Sequence, residues 1–149
     1  MNILTEFVVF GEPNAQKRHR HASRGKFVQT YDPSKDDKAD FRIVAQQKAP
    51  AQPFSKPLFV EIVCYFSRPK SHYGSGKNAD VLKPSVPFHH TKKPDADNCA
   101  KFVFDALNGI FWTDDSIIAG FKVHKAYCIK PRTEVSVFEM EVVKPCLNK

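Results

Sequence analysis

Five aspartates lie close together in the segment KPDADNCAKFVFDALNGIFWTDD, which ends at Asp115 of the 149-residue chain. Asp95 and Asp97 form an Asp-x-Asp pair at the start of a helical pattern, and Asp114 with Asp115 follows its end. Carboxylate oxygens are ligands for Mg²⁺, which can polarise a phosphoryl oxygen or activate an attacking water. Lys101, one helical turn after Asp97, would offset charge that develops on a phosphate in the transition state. These residue types favour metal-assisted hydrolysis of a phosphodiester.

The rest of the chain is strongly basic. The protein has a formal net charge of +7, and residues 95–115 contain five Asp and one Lys (a local charge of −4), so the remainder carries +11. A basic surface with one acidic centre suits a polyanionic partner and a bound cation. The segment 17–26 and the loop 67–94 are expected to contact phosphates. The residues expected to make these contacts are Lys17, Arg18, Arg20, Arg24, Lys26, Lys92 and Lys93.

A structural explanation is available for each acidic residue. An Asp at a helix start contributes about 0.5–2 kcal/mol through the unpaired N–H groups and the helix dipole. Lys101 and Asp105 are four residues apart and could form a surface ion pair, and Asp114 with Asp115 could form a turn. The combination of these features exceeds what capping requires, which favours the functional interpretation. Asp105 is then interpreted as the partner of Lys101, beside the site rather than in it.

The helix that carries this segment is predicted to be amphipathic. At 100° per residue its apolar arc faces the core, and the arc consists of Cys99, Phe102, Val103, Ala106, Leu107 and Ile110. The opposite side presents Asp97, Lys101, Phe104, Asp105 and Asn108. Phe104 is therefore expected to be an exposed aromatic residue. Because the helix is roughly 20 Å long, Asp114 and Asp115 can join Asp95 and Asp97 only if the chain folds back toward the helix start.

The other elements follow from hydrophobic periodicity and turn residues. Strands are predicted over residues 3–10, 27–31 and 58–66, and in the stretches SIIAGFKVHKAYCI and TEVSVFEMEVV, which KPRT would join as a hairpin. A helix is predicted in YDPSKDDKADFRIVAQQK, with Asp32 as N-cap and Pro33 at the first position. This order predicts one α+β domain over residues 1–149, with two main helices packed on one face of a mixed or mainly antiparallel sheet.

Composition argues against membrane, secreted and zinc-binding proteins. No apolar run approaches the roughly 20 residues that span a membrane, and the N-terminal segment is a poor signal peptide. The cysteines lack zinc-site spacing, so reduced cysteines in a cytoplasmic protein are expected; they are Cys64, Cys99, Cys128 and Cys146. Three loop histidines are interpreted as solvated residues or phosphate contacts rather than metal ligands; these are His72, His89 and His90.

The residues KPDADN…K…DALNG…DD resemble the RusA-type Holliday-junction resolvases over roughly residues 92–116. The resemblance implies an α+β homodimer that cuts four-way DNA junctions with Mg²⁺, for which Mn²⁺ would substitute, in recombination or repair and often encoded by a phage or prophage. It implies that Asp95, Asp97 and Asp115 are the catalytic metal ligands, with Asp114 as the alternative to Asp115. It also implies that Lys101 is the catalytic lysine.

Two alternatives remain open at this stage. The first is a nuclease of the same architecture that acts on flaps or other branched DNA. The second is a non-catalytic, structure-selective DNA-binding protein in which the aspartates only cap and terminate a helix.

Overall fold

The computed structural model describes residues 1–142, in which a four-stranded mixed sheet carries two helices on one face. The strands are β1 (Ile3–Phe10), β2 (Arg20–Arg24), β3 (Phe27–Tyr31), β4 (Leu58–Phe66), β5 (Ile118–Tyr127) and β6 (Arg132–Glu139). The helices are α1 (Lys35–Ala45) and α2 (Ala96–Leu107). The predicted α+β class is confirmed. In the described part of the chain no helix is long and apolar enough to cross a membrane.

The order of strands in the main sheet is β1-β6-β4-β5, and only the β4–β5 pair is parallel. A parallel pair needs a crossover connection, and α2 provides it between β4 and β5. The predicted hairpin between β5 and β6 is wrong because β4 lies between these two strands. Their connection passes the end of β4, where the Cys128 N–H donates to the Phe66 carbonyl at 2.9 Å.

The core lies between the sheet and the two helices. Alternate residues of β4 are buried from Leu58 to Phe66, as the period of a strand requires. Nearly all of the predicted apolar arc of α2 is buried and Ile110 is half-buried, which confirms the orientation of this helix. Phe41 of α1 packs edge-on against Phe102 of α2 with ring centroids 5.6 Å apart. Aromatic contacts of this kind therefore hold α1 against α2.

Two buried thiols lie where α2 meets β4. Cys64 and Cys99 are both free and fully enclosed. The hydrogen bond with Cys99, together with burial, raises the pKa of the Cys64 thiol. A buried thiol with a raised pKa is a poor nucleophile, so Cys64 has a packing role. Cys146 and the predicted end of the last strand at residue 143 lie outside the described residues.

Helix α1 begins later than predicted. Its N-cap is Ser34, and Asp32 instead accepts a hydrogen bond from the Ser34 N–H at 2.9 Å. An Asp that bonds the backbone two residues ahead forms a turn before the helix rather than its cap. The prediction that Asp32 caps the helix directly is therefore wrong by two residues.

The basic segment forms a hairpin rather than a simple loop. Strands β2 and β3 pair only with each other in the structure as described, and Arg24 lies opposite Phe27 across a two-residue turn. Gly25 in this turn has φ +62°, a conformation that a hairpin turn requires and that glycine adopts without steric cost. Strand β2 was not predicted because its sequence, RHASR, has Ala22 as its one apolar residue and so shows no hydrophobic alternation.

The long loop 67–94 is attached along the edge of β5. The Tyr127 N–H donates to the Phe88 carbonyl at 2.9 Å, and the His90 N–H donates to the Lys125 carbonyl at 3.0 Å. His90 is buried and stacks on Phe66 at 4.0 Å. Burial and the nearby Lys125 ammonium lower the pKa of His90, so the prediction of a solvated residue is wrong at this position.

Candidate active site

Two carboxylates lie at the entrance to α2. Asp95 is the N-cap residue, and its side chain makes no capping hydrogen bond. Asp97 follows in the first turn, and both residues are exposed. Within residues 1–142, no hydrogen bond or ion pair engages either carboxylate. Exposed carboxylates without hydrogen-bond or ion-pair partners are suitable ligands for a hard divalent cation, which binds one or two carboxylates together with substrate phosphates.

Lys125 of β5 holds the segment that leads into this entrance. Its Nζ donates to the Lys92 carbonyl at 2.6 Å and to the Pro94 carbonyl at 2.5 Å. The two carbonyls lie three residues and one residue before Asp95, so this strand side chain ties down the segment that ends at the N-cap. Alternation places Lys125 on the strand face opposite to Lys122, but the contact of Lys125 is with a loop that is distant in the sequence, so it was not predicted.

A second set of contacts connects the basic segment to both helices. The Gln16 N–H donates to the Asn98 carbonyl at 2.9 Å, and the Gln16 side chain donates to Asp32 at 2.9 Å. Lys38 donates to the other Asp32 oxygen at 2.6 Å. Partial burial would raise the pKa of Asp32, but the bonds from Lys38, Ser34 and Gln16 outweigh it and lower the pKa to about 2. Asp32 is therefore a charged anchor for the start of the basic segment.

These contacts create an open groove beside the entrance to α2. The groove is lined by Pro13, Asn14, Ala15, Gln16, Lys17, Arg18, Lys93, Pro94, Asp95 and Asn98. The fold thus brings three of the residues expected to contact phosphates, Lys17, Arg18 and Lys93, to the same groove as Asp95. Lys92 is exposed in the same loop. The others, Arg20, Arg24 and Lys26, lie in the hairpin that continues from the groove.

Lys101 and Asp105 do not form the predicted ion pair. Asp105 lies 3.4 Å from Lys38, so it belongs to the contact between the two helices. Lys101 is exposed, and among the described residues it has no acidic partner within 4.0 Å. The pairing with Asp105 is wrong because Lys38 reaches it from α1. The Lys101 ammonium therefore stays available on the same helix face as Asp97, one turn away.

The second pair of acidic residues lies at the other end of α2. Asp114 accepts a hydrogen bond from the Ser116 N–H at 2.9 Å, and hydrogen bonds from the Ser116 side chain and backbone hold its pKa below the ordinary value. Asp115 opens the turn that leads into Ile118 at the start of β5, whereas Lys125 near the end of β5 contacts the α2 entrance.

The twelve residues of α2 span about 18 Å along the helix axis, and Asp115 comes eight residues after the last of them. Strand β5 does run back beside α2, but it begins after Asp115. Asp115 is therefore not carried back towards Asp95. In the part of the chain that the structure describes, no group of three Asp, Glu, His or Cys side chains could hold a metal ion. One copy of the chain brings Asp95 and Asp97 to the same helix turn and leaves Asp115 apart from them.

The aromatic residues near the acidic segment belong mainly to the core. Phe111 and Trp112 are fully buried. Phe104 is half-buried, with its ring 5.3 Å from Phe121 and 6.2 Å from Trp112. The prediction that Phe104 is exposed without a partner is wrong because Phe121 of β5 and the buried Trp112 pack against its ring.

Comparison with known proteins identifies relatives over nearly the whole chain. A family model described as "Endodeoxyribonuclease RusA" matches residues 11–138. A protein of Bacillus subtilis (strain 168), named "Uncharacterized protein YqaN", is 36% identical over 137 residues, which cover 91% of this chain and 96% of the relative. The match includes the basic hairpin, the groove and the acidic segment.

Proposed function

The chain belongs to the RusA endodeoxyribonuclease family, and from this premise we propose that it resolves four-way DNA junctions by metal-dependent hydrolysis of phosphodiester bonds. The observation that carries the proposal is a pair of unengaged carboxylates, Asp95 and Asp97, beside a groove lined by Lys17, Arg18 and Lys93. Cationic side chains attract the backbone of DNA largely without regard to sequence. The carboxylates give this basic groove a place for a cation next to the phosphate.

In this proposal each residue has a distinct role. Asp95 and Asp97 hold a divalent cation through their oxygens, Mg²⁺ with Mn²⁺ as a substitute. The chemistry that such a cation supplies when bound is polarisation of the phosphoryl group and activation of an attacking water. Lys101, which extends from the same face one turn later, stabilises the negative charge that develops on the phosphate. Lys17 and Arg18 orient the strand in the groove.

We further propose that the working unit is a homodimer. A four-way junction needs incisions in two opposing strands, and a two-fold dimer presents two equivalent sites. Asp115 supports the same proposal, because within one copy it follows the far end of α2, a helix about 18 Å long, whereas Asp95 lies at the start of that helix. If Asp115 is a ligand, it reaches the pair Asp95 and Asp97 of a second copy. Asp115 is preferred over Asp114, whose carboxylate is engaged by Ser116.

The first experiment tests the activity itself. The wild type and the Asp97→Asn variant are incubated with labelled four-way junction, flap and linear duplex at one salt concentration, with and without Mg²⁺. We expect paired nicks in the junction that require Mg²⁺ and are lost in Asp97→Asn, while junction binding is retained. Binding without any Mg²⁺-dependent nicking by the wild type would contradict the proposal. Faster cutting of flaps than of junctions would favour a flap nuclease instead.

A complementation experiment tests the shared site. Asp97→Asn and Asp115→Asn are each expected to be inactive alone. In a mixed dimer, the Asp97 of the second variant and the Asp115 of the first would form one intact site, so nicking of one strand should return. A site contained within a single copy would give no recovery, since every copy then carries one defect. Full activity of Asp115→Asn alone would show that Asp115 is not a metal ligand. Asp114→Asn, which changes the adjacent carboxylate, is the matched control.

A further inference from the structure

The hairpin of β2 and β3 presents one face on which guanidinium and aromatic groups lie side by side. Arg24 is paired directly with Phe27, and Arg20 is paired directly with Tyr31. Directly opposed residues of two strands point to the same side of the sheet, and so do residues two apart along one strand. These four side chains therefore share a face, with Ala22 and Gln29 between them.

This face has no partner within the described part of the chain. Strands β2 and β3 pair only with each other there, and every strand residue except Ala22 is exposed. The side chain of Phe27 is an extreme case, because Phe27 is 81% exposed. A two-stranded hairpin gains little stability by itself, and large exposed aromatic residues mark surfaces that bind something else.

The charge of the segment indicates which partner fits. Residues 17–31 contain five Lys or Arg and no Asp or Glu. Such a surface attracts a polyanion and repels a basic second copy of the same segment. Aromatic rings next to Arg are the arrangement by which proteins stack on unpaired bases while they hold the adjoining phosphates. The hairpin also continues from Lys17 and Arg18, which line the groove beside Asp95.

We propose that the face of Arg20, Arg24, Phe27 and Tyr31 stacks on unpaired bases at the branch point of the DNA. This inference rests on the proposed function and specifies which part of the substrate the hairpin contacts, namely the unpaired bases. Bases inside a continuous duplex are already stacked, so only a branch point offers a free base to Phe27. The hairpin thereby favours branched over linear DNA, whereas the groove residues hold any phosphate backbone.

The test measures binding rather than cutting. Four-way junctions carry the fluorescent base 2-aminopurine at the branch point, and Ca²⁺ replaces Mg²⁺. The proteins are the full-length wild type, Phe27→Ala, Phe27→Leu and Phe27→Tyr. We expect Phe27→Ala and Phe27→Leu to bind the junction about 5- to 150-fold more weakly and to lose the change in 2-aminopurine emission. Phe27→Tyr keeps an aromatic face and should behave like the wild type.

Two controls separate stacking from charge. Affinity for linear duplex should be the same in all four proteins, since a duplex offers no free base. The slope of log affinity against log salt should be unchanged in Phe27→Ala, whereas Arg24→Gln should reduce it by about one phosphate contact. Thermal unfolding of Phe27→Ala should match that of the wild type, because the side chain lies outside the core.

Three results would overturn the inference. The first is a Phe27→Ala protein that binds the junction and changes 2-aminopurine emission as the wild type does. The second is a Phe27→Leu protein with full affinity, which would indicate apolar burial without stacking. The third is a lower oligomeric state of Phe27→Ala in light scattering, which would mean that a second copy covers this face. A wild type that stacks on the branch point but never nicks it in Mg²⁺ would instead remove the proposed function and leave the binding inference standing.

Discussion

Replacement of Lys125 by methionine tests whether a strand side chain positions the entrance to α2. The Nζ of Lys125 donates to the carbonyls of Lys92 and Pro94 at 2.6 and 2.5 Å. Methionine keeps most of the apolar stem and removes the ammonium. Hydrogen bonds with a charged partner contribute about 1.5–3 kcal/mol each. Since the two bonds share one partly exposed donor, we expect the free energy of unfolding to fall by about 2–4 kcal/mol, as measured by urea denaturation.

The same variant should slow the nicking step more than it weakens DNA binding. The two carbonyls belong to the three-residue segment that leads into Asp95, so their release is expected to let the N-cap carboxylate shift. A displacement of about 1 Å near a reacting group can reduce the rate about 100-fold. Lys17 and Arg18, which line the groove and are proposed to hold the phosphates, are unchanged in this variant. We therefore expect a lower single-turnover rate at saturating protein, at a temperature where the variant is folded, with little change in junction affinity.

Lys122→Met is the matched control because it removes the same charge from the same strand. Lys122 pairs with Glu61 at 3.0 Å on the exposed part of the sheet, and such surface pairs contribute about 0–1 kcal/mol. Equal stabilities and equal nicking rates for Lys125→Met and Lys122→Met would refute the positioning role of Lys125.

Three further predictions concern the fold and the groove. Asp32→Asn should lower stability at neutral pH by about 1–2 kcal/mol, because the pKa of Asp32 is lowered to about 2 and part of that effect is screened by solvent. A carboxyl group whose pKa is lower in the folded than in the unfolded protein stabilises the fold at pH values above the unfolded pKa. The stability difference between the wild type and Asp32→Asn should therefore shrink as the pH falls from about 4 towards 2. Urea unfolding curves of the two proteins that stay equally far apart at both pH values would contradict the assignment. Gly109→Ala should lower the free energy of unfolding by about 1–2 kcal/mol, because Gly109 has φ +79° and a Cβ added there would meet no atom within 4 Å, which leaves backbone strain as the cause. An unchanged melting temperature would contradict this expectation. Arg18→Gln should weaken binding to junction and duplex alike and reduce the salt slope by about one, and a loss confined to the junction would place Arg18 at the branch point instead.

The periodicity of the chain was sufficient to predict the elements that carry the site. The apolar arc of α2 and the alternation in β4 are set by local geometry, in which side chains repeat every 3.6 or every 2 residues. For this reason the amino-acid sequence alone predicted the orientation of α2, in which Cys99 and Phe102 face inward and Asp97 and Lys101 face outward. The same motif indicated the family, which the comparison confirmed.

The contacts between distant segments were decided by the tertiary structure. A hydrophobic pattern states which face of a strand is buried but not which strand lies beside it, so the insertion of β4 between β5 and β6 could not be predicted. For the same reason Asp105 meets Lys38 of another helix rather than Lys101 of its own. Alternation places Lys122 and Lys125 on opposite faces of β5, but only the packing of the loop on β5 gives Lys125 two carbonyls to which it can donate. The sequence by itself determined which carboxylates are present and which helix face carries them, whereas the direction in which the chain leaves α2 decided that Asp115 lies at the far end of that helix.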